Sequence, residues 1–520
     1  MASDPDACVP QTLTDFVFDL YDSISLSQLT EEQSRLYNSV FRDLSGKYFA
    51  NAPWPSPQII ASECNGDPLF LAIYRELTHR HWHAVSRPSL RDRMEGWDVY
   101  RELFDELLLD AEETAFDDSG RTAKFYILPE WAFDVLHEFV YQFQGFCQFR
   151  TTLYASAVKH NLIGGDGPSG KAPHHVVENL SVLQEEDESD IWNVETVLGY
   201  LQRLVAIGTN PKCTVPAYQY FGIFASVTLS RLECLLSDYT ACLQAAVPLA
   251  NPSAMVLKDE PKSFMDVVHG VFAARLSLTY HMGISFIMLR RYKDAVVTVG
   301  SLCSYMQRGF KTGQLRKLPN SDQLFKNYDR MIALLAIVTH LCPACPIEEA
   351  LAKTIREKHG GQLSKDSAGY GDLFVYCSPK FISPAIPDYS TKDFPMETNA
   401  YKHQVQLLEK ELDCQSTFRQ LRSYLKLYTS LNVDKLVGFG NDRVTLTSMK
   451  LVQRQLETSE NGDGGTSLKS AMDIHYYVQE DTISIDEAEK QRRFENYFLG
   501  QVEQSYEIRK DVNAIATDVQ

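Results

Sequence analysis

Four groups of residues have types and spacing that could carry chemistry. The first, Gly165-x4-Gly170-Lys171, is one residue from a phosphate-binding loop. Such a loop cradles phosphates with backbone N–H groups and holds Mg²⁺ with a Ser or Thr. Here that position is Ala172, Pro173 stands where the helix should continue, and no apolar strand leads in. The pattern predicts a flexible loop. The second, Cys342-Pro343-Ala344-Cys345, has redox spacing, but a thioredoxin-like centre needs a strand before the motif and a helix starting at it. The helical run Ile332–Leu341 precedes it instead, and no second ligand pair is spaced for zinc. Structural cysteines in a turn between helices are expected.

His79, His81 and His83 form the third group. In a strand they would share a face and could bind a metal. The Leu69–Leu77 pattern is helical, however, so i and i+2 point apart, and a polar helix end is expected. His174-His175 falls in a loop with no acidic or cysteine partner at useful spacing. There is no Gly-x-Ser-x-Gly elbow and no convincing Cys/His pairing. The sequence therefore assigns no catalytic, cofactor-binding or metal-binding residue and no small-molecule substrate.

The fourth group is a basic patch. Arg419, Arg422, Lys426, Lys435, Arg443, Lys450 and Arg454 face only Asp434, Asp442 and Glu457 over residues 416–459. Arg419, Arg422, Lys435, Lys450 and Arg454 are the candidate contacts. The favoured reading is docking of a partner protein, with RNA as the alternative.

That patch stands out because the 520-residue chain carries a formal charge of −18, which excludes wrapping nucleic acid with the whole surface. The length predicts several domains. Eleven cysteines, an odd number, fall partly in apolar periodic segments (Cys234, Cys242, Cys303). They read as reduced, buried, small hydrophobes of a cytosolic or nuclear protein. Asp4, Pro5 and Asp6 follow Met1 at once, so no secretory leader is expected. Two charge-free stretches, Cys213–Ser230 and Tyr239–Leu257, are interrupted by prolines and amides and read as buried helices, not membrane spans.

The elements that must position these groups are mainly α-helices. Residues 1–35 are weakly patterned, and 36–150 form an N-terminal helical domain broken at Ala52-Pro53-Trp54-Pro55. Within it, Phe133, Leu136, Val140, Phe143 and Cys147 recur at helical steps in a long aromatic helix. Residues 151–190 read as a flexible Gly/acidic insertion. Residues 191–359 read as helical repeats and 360–398 as an irregular Pro/Gly connection. Residues 399–486 read as a winged helix, and 487–520 as a C-terminal helix and tail.

Within the repeats, Thr279–Arg308 matches the tetratricopeptide pattern, with Met282, Gly283 and Phe286 in the first helix and Ala295 in the second. Two helices cross closely only where small side chains meet, so Gly283 is expected to face Ala295. Ser230 and Cys242 repeat that spacing. After Thr417, three apolar stripes (the third being Leu446, Met449, Val452 and Leu456) precede alternating Ile474, Tyr476, Val478 and Ile483, Ile485. They predict three helices and a hairpin with a three-residue connection, Gln479-Glu480-Asp481. A last amphipathic helix carries Phe494, Tyr497, Phe498, Val502 and Tyr506. Helical repeats ending in a winged helix are the plan of the PCI domain, a module of large assemblies.

Six literal stretches, in order, resemble the subunit L family of eukaryotic translation initiation factor 3. They are Ala52–Pro55, Tyr141–Phe146, Ile191–Val194, Met288–Ala295, Cys377–Pro384 and Leu421–Thr429. The 151–190 insertion is longer than the family's, the N-terminal tail shorter, and Asn441–Glu457 diverges most. The resemblance implies a non-catalytic, cytoplasmic scaffold subunit, without cofactors, of the initiation factor that sits on the small (40S) ribosomal subunit. Its implied partners are subunit K and other PCI subunits such as C and E, with rRNA or mRNA as the alternative occupant of the patch. A PCI subunit of another assembly, of proteasome-lid or signalosome type, is the alternative.

Overall fold

Capping residues and prolines set where the helices begin. In the computed structural model Asp67 accepts from the Phe70 N–H at 3.1 Å, and Pro68 opens α5 (Pro68–Val85), where its missing N–H costs nothing. Ser89 and Asp92 form a reciprocal capping box on α6 (Leu90–Thr114). Pro129 opens α7 (Pro129–Lys159), and Pro216 opens α10 (Pro216–Leu235). Before α5 come α1 (Gln11–Ser25), α2 (Thr30–Arg35), α3 (Phe41–Tyr48) and α4 (Pro57–Ile60). Between α7 and α10 lie α8 (His174–Glu185) and α9 (Val194–Gly208). Then follow α11 (Tyr239–Ala245), the hairpin β1 (Met255–Leu257) and β2 (Glu260–Lys262), and α12 (Phe264–Gly270). Next are α13 (Phe272–Met288), α14 (Tyr292–Lys311), α15 (Ser321–Leu341), α16 (Glu349–Leu363) and α17 (Ser367–Cys377). The last part holds α18 (Ala400–Leu425), β3 (Ser430–Asn432), α19 (Val433–Val437), β4 (Leu456–Glu460), β5 (Thr466–Ser470), β6 (Ile474–Gln479) and β7 (Thr482–Glu487).

The structure describes residues 10–25, 30–116, 125–163, 173–185, 191–250, 255–257, 260–318, 320–342, 347–363, 367–389, 400–425, 427–437, 456–460, 466–470, 474–487, 501–502, 505–506 and 509. Two units emerge. One comprises Met1–Leu289 and Lys293–Leu408; the other comprises Arg290–Tyr292 and Glu409–Gln520.

Among the described residues, the regular elements of the first unit are helices apart from β1 and β2. α10 is buried on nearly every face, which identifies it as the central helix, and it packs on α7, α9, α11 and α13. Gly208 of α9 and Gly222 of α10 let these two backbones touch: a Cβ on Gly222 would lie 2.5 Å from the Gly208 Cα. Ser230 and Cys242 meet as their spacing predicts, Oγ to Sγ at 3.2 Å. Around Gly283 the expectation needs correcting. The atom a Cβ there would strike is the Val299 Cγ2, at 2.4 Å, one turn beyond Ala295. Ala295 is fully buried on α14.

Other expectations change as well. The described part of 1–35 is helical, not weakly structured: Leu13, Phe16, Val17, Leu20 and Ile24 of α1 are buried at helical steps. The 151–190 insertion contains the end of α7 and, in α8, buried Val176, Leu180 and Leu183. The Gly loop with Lys171 lies outside the described residues. Helix α9 starts at Val194, not Ile191, because Trp192 turns the chain with φ 50°. The 360–398 connection contains the end of α16 and α17, whose Tyr370, Leu373, Phe374 and Cys377 are buried.

The second unit has the element order of a winged helix: α18, β3, α19, then β6 and β7, with sheet order β3-β7-β6. Buried Leu431 pairs across the sheet with buried Ile483. The wing is a two-residue turn, Glu480-Asp481, tighter than the three-residue connection expected, because Gln479 pairs with Thr482. Glu480 adopts φ 51°, as tight hairpin turns require. The third expected helix mostly lies outside the described residues. Its last residues, Leu456 and Glu457, belong to strand β4 of an added hairpin, pairing with Ser470 and Lys469.

Candidate assembly surfaces

The winged helix builds its site from three short elements. The Asn432 side chain accepts from the Asp434 N–H at 2.9 Å and so turns β3 into α19. The Val433 N–H donates to Asp481 O at 2.8 Å and the Ile485 N–H to Thr429 O at 2.9 Å, fixing the wing to the base of α19. On this frame Lys435 is exposed, its Nζ 5.2 Å from the Tyr428 ring centroid. Tyr477 of β6 is half exposed on the sheet. Arg419 and Arg422 belong to α18. Lys450 and Arg454 lie outside the described residues, as do Phe494, Tyr497 and Phe498. Val502 is exposed.

A second feature escaped the sequence reading. In the second unit Glu411 of α18 accepts from Arg290 Nε at 2.9 Å, Tyr292 OH at 2.8 Å and Gln415 Nε2 at 3.0 Å. Burial raises this carboxyl, but the hydrogen bonds from Arg290 and Gln415 outweigh it and hold it below its ordinary value. Arg290 adopts φ 60°, a strained left-handed backbone that this cluster stabilises. Sequence could not pair residues so far apart in the chain.

Of the histidine group, His79 proves to be core, while His81 and His83 are partly buried. α5 is a helix, as expected, but its end is not a polar rim. His79 is buried, and burial pushes its imidazole, like that of His83, down to about 4. One turn before it, Glu76 is fully buried and pushed up to about 7. Arg80 Nε lies 3.2 Å from Glu76, Tyr100 OH donates to Glu76 at 3.2 Å, and Tyr37 OH donates to Asp134 at 2.7 Å. This network cross-links the segment after α2, α5, α6 and α7. His174 does have an acidic neighbour, Glu178 at 3.6 Å on α8. Burial also pushes the thiols of Cys213, Cys303 and Cys377 up, the first to about 11, so they are protonated and unreactive. Cys342 is partly buried, whereas Cys345 lies outside the described residues. No group of three or more His, Cys, Asp or Glu among the described residues could hold a metal ion. No single described helix is long and apolar enough to cross a membrane.

The remaining joints are aromatic or backbone straps. Trp54 stacks on Phe41 and Phe49 with centroids 4.8 and 4.6 Å apart. Trp192 donates to Arg93 O at 2.8 Å and fits among Trp97, Tyr100 and Phe139. After α17 an extended strap crosses the helices. Tyr280 OH donates to Cys377 O at 2.5 Å, Gln144 to Lys380 O at 2.9 Å and the Ile382 N–H to Leu235 O at 3.0 Å.

A sequence-family profile described as RNA polymerase I-associated factor PAF67 matches residues 92–505, well over half of the chain. The chain belongs to that family. Its relatives include proteins named eukaryotic translation initiation factor 3 subunit L. The one from Nematostella vectensis is 27% identical over 535 residues, spanning 98% of this chain and 94% of its own length. The Xenopus laevis protein is 27% identical across 92% of this chain and 83% of its own, and the human one 27% across 91% and 82%. The chain thus resembles subunit L over nearly its whole length. Five of the six stretches that carry the family resemblance fall on the joints just described: Trp54, the Gln144 segment of α7, Trp192, the Arg290 cluster and the Cys377–Pro384 strap.

Proposed function

We propose that this protein is a non-catalytic scaffold subunit of translation initiation factor 3, acting in the cytoplasm to support assembly of the factor on the small ribosomal subunit. The observation that carries the reading is the near full-length similarity to proteins named subunit L, combined with helical repeats followed by a winged helix. A PCI-type chain offers surfaces, not a reaction centre, and the buried, protonated thiols and buried histidines suit that role. In this reading subunit K is the nearest neighbour, with PCI subunits such as C and E beyond it. The exposed Lys435 face and the C-terminal segment with Val502 meet partner proteins, with rRNA or mRNA as the second occupant of the basic patch.

The family description, with its mention of RNA polymerase I, supports a second reading, and a PCI subunit of a proteasome-lid or signalosome type assembly is a third. Purification of a tagged copy from cells distinguishes them. Stoichiometric initiation factor 3 subunits that co-sediment with the small ribosomal subunit are expected. Recovery of polymerase, lid or signalosome subunits in their place would overturn the proposal.

A further inference from the structure

Helices α15, α16 and α17 pack on one another in the first unit and leave a cavity of about 300 Å³ at their edge. Its lining is Asp329, Lys358, His359, Asp372, Leu373 and Tyr376. The volume is at the small end of ligand-sized sites, sufficient for one long side chain.

One cation already uses this corner. Lys358 forms an ion pair with Asp329, and its Nζ lies 5.2 Å from the Phe325 ring centroid and 5.6 Å from that of Tyr328. Its side chain thus shows which chemistry the corner accepts: a positive charge between a carboxylate and aromatic faces. The second carboxylate, Asp372, is exposed and one turn from Tyr376, whose ring is 49% exposed. Phe325, against which the Lys358 ammonium lies, is 45% exposed. The lining thus carries two carboxylates and one ammonium, and Tyr376 and Phe325 are each about half exposed.

We propose that this cavity receives an arginine side chain from a partner protein. A planar guanidinium can lie on the Tyr376 ring while donating two parallel hydrogen bonds to Asp372, which an ammonium cannot do. The charge complementarity selects a basic segment. Lys358 sets the threshold, because its own charge repels an incoming cation across the cavity. The site lies within the first unit and does not depend on which assembly the chain joins.

The test uses the full-length protein and a fluorescein-labelled hexa-arginine peptide, followed by fluorescence anisotropy in about 150 mM salt, where long-range surface attraction is screened. Asp372→Asn and Tyr376→Ala should each weaken binding about two- to fivefold, the scale of an exposed cation–π or ion-pair contact. Lys358→Met should tighten it. Asp98→Asn, in the acidic groove beside Arg101 and Glu102, should leave it unchanged. Hexa-lysine should bind more weakly than hexa-arginine. Equal affinity for all variants, weakening by Asp98→Asn as large as by Asp372→Asn, or equal binding of hexa-lysine would each overturn the proposal. Circular dichroism of the exposed-site variants Asp372→Asn and Tyr376→Ala should match the parent, which separates lost binding from lost folding.

Discussion

The crossing of α9 and α10 at Gly208 and Gly222 can be tested with a single methyl group. Gly222→Ala would place a Cβ 2.5 Å from the Gly208 Cα, 2.8 Å from its carbonyl carbon and 2.9 Å from the Leu204 carbonyl oxygen. All three atoms are backbone, so no side chain can rotate away. The helices would have to part by about 1 Å to restore ordinary contact, in an interior packed too densely to absorb the shift. Overpacking of this kind costs about 1–3 kcal/mol, and the better helix propensity of alanine returns about 0.5–1 kcal/mol. The net expectation is a loss of about 1–2 kcal/mol. In a unit of this size that corresponds to a Tm lower by about 1–3 °C, since unfolding entropy scales with chain length. Gly199→Ala is the control. It lies on α9, the helix of Gly208, and an added Cβ there meets nothing within 4 Å. It should stabilise by about 0.5–1 kcal/mol through propensity alone. Urea unfolding of the two variants, read by circular dichroism, gives the answer. If both shift the midpoint in the same direction, the backbone contact does not govern this crossing.

Gly283→Ala should also destabilise, by about 1 kcal/mol, because its obstacle is the Val299 side chain; adding Val299→Ala should recover most of the loss, whereas Ala295→Gly should not. Glu411→Ala leaves Arg290 and Tyr292 without their shared acceptor and should cost about 2–3 kcal/mol; an unchanged midpoint would show that the cluster is ornamental. Glu76, with a folded pKa raised to about 7, binds its proton more tightly when folded, so its contribution to stability grows as pH falls from about 7 toward the ordinary glutamate value. His79, lowered to about 4, acts oppositely: its stability is present above the ordinary imidazole value of 6.5 and is lost as pH falls toward 4. Thermal melts at pH 7 and pH 5 should therefore show a larger acid-induced drop for Glu76→Gln than for the parent, and a smaller one for His79→Asn. Charge reversal of Lys435 and Lys450 together should reduce co-sedimentation with the small ribosomal subunit or its factor, and normal co-sedimentation would remove the basic patch from the assembly reading.

Local periodicity carried much of the architecture. The apolar steps of α7, the hairpin alternation of β6 and β7 and the small-residue pair Ser230 and Cys242 are short-range patterns, and each became the expected element or contact. The mainly helical fold with a winged helix followed from their order. The same rule applied more evenly would have found α1, because Leu13, Phe16, Val17, Leu20 and Ile24 have the helical period; the acidic beginning of the chain obscured it. Glycine and proline content misled in the same way at 151–190 and 360–398, where α8 and α17 are held by burial more than by intrinsic propensity.

The candidate sites divide along the same line. Sequence spacing argued against a nucleotide loop and a zinc pair, since those chemistries need fixed local patterns; the Gly loop and Cys345 lie outside the described residues. It could select Lys435 as a charge, but not its neighbour Tyr428 as a ring beneath that charge. The Gly283 crossing shows the limit most clearly. The sequence determined that a small residue was required there, because only a missing Cβ allows two helices to approach so closely. Which residue fills the space, Val299 in place of Ala295, depends on how far α14 slides along α13, and that is decided by the packing of the whole helical unit. The same holds for Glu76 with Tyr100, for Arg290 with Glu411, and for Lys358 at the edge of its cavity. Their chemistry was written in the sequence as residue types, while their burial and partners, and hence their charge states, exist only once distant segments meet.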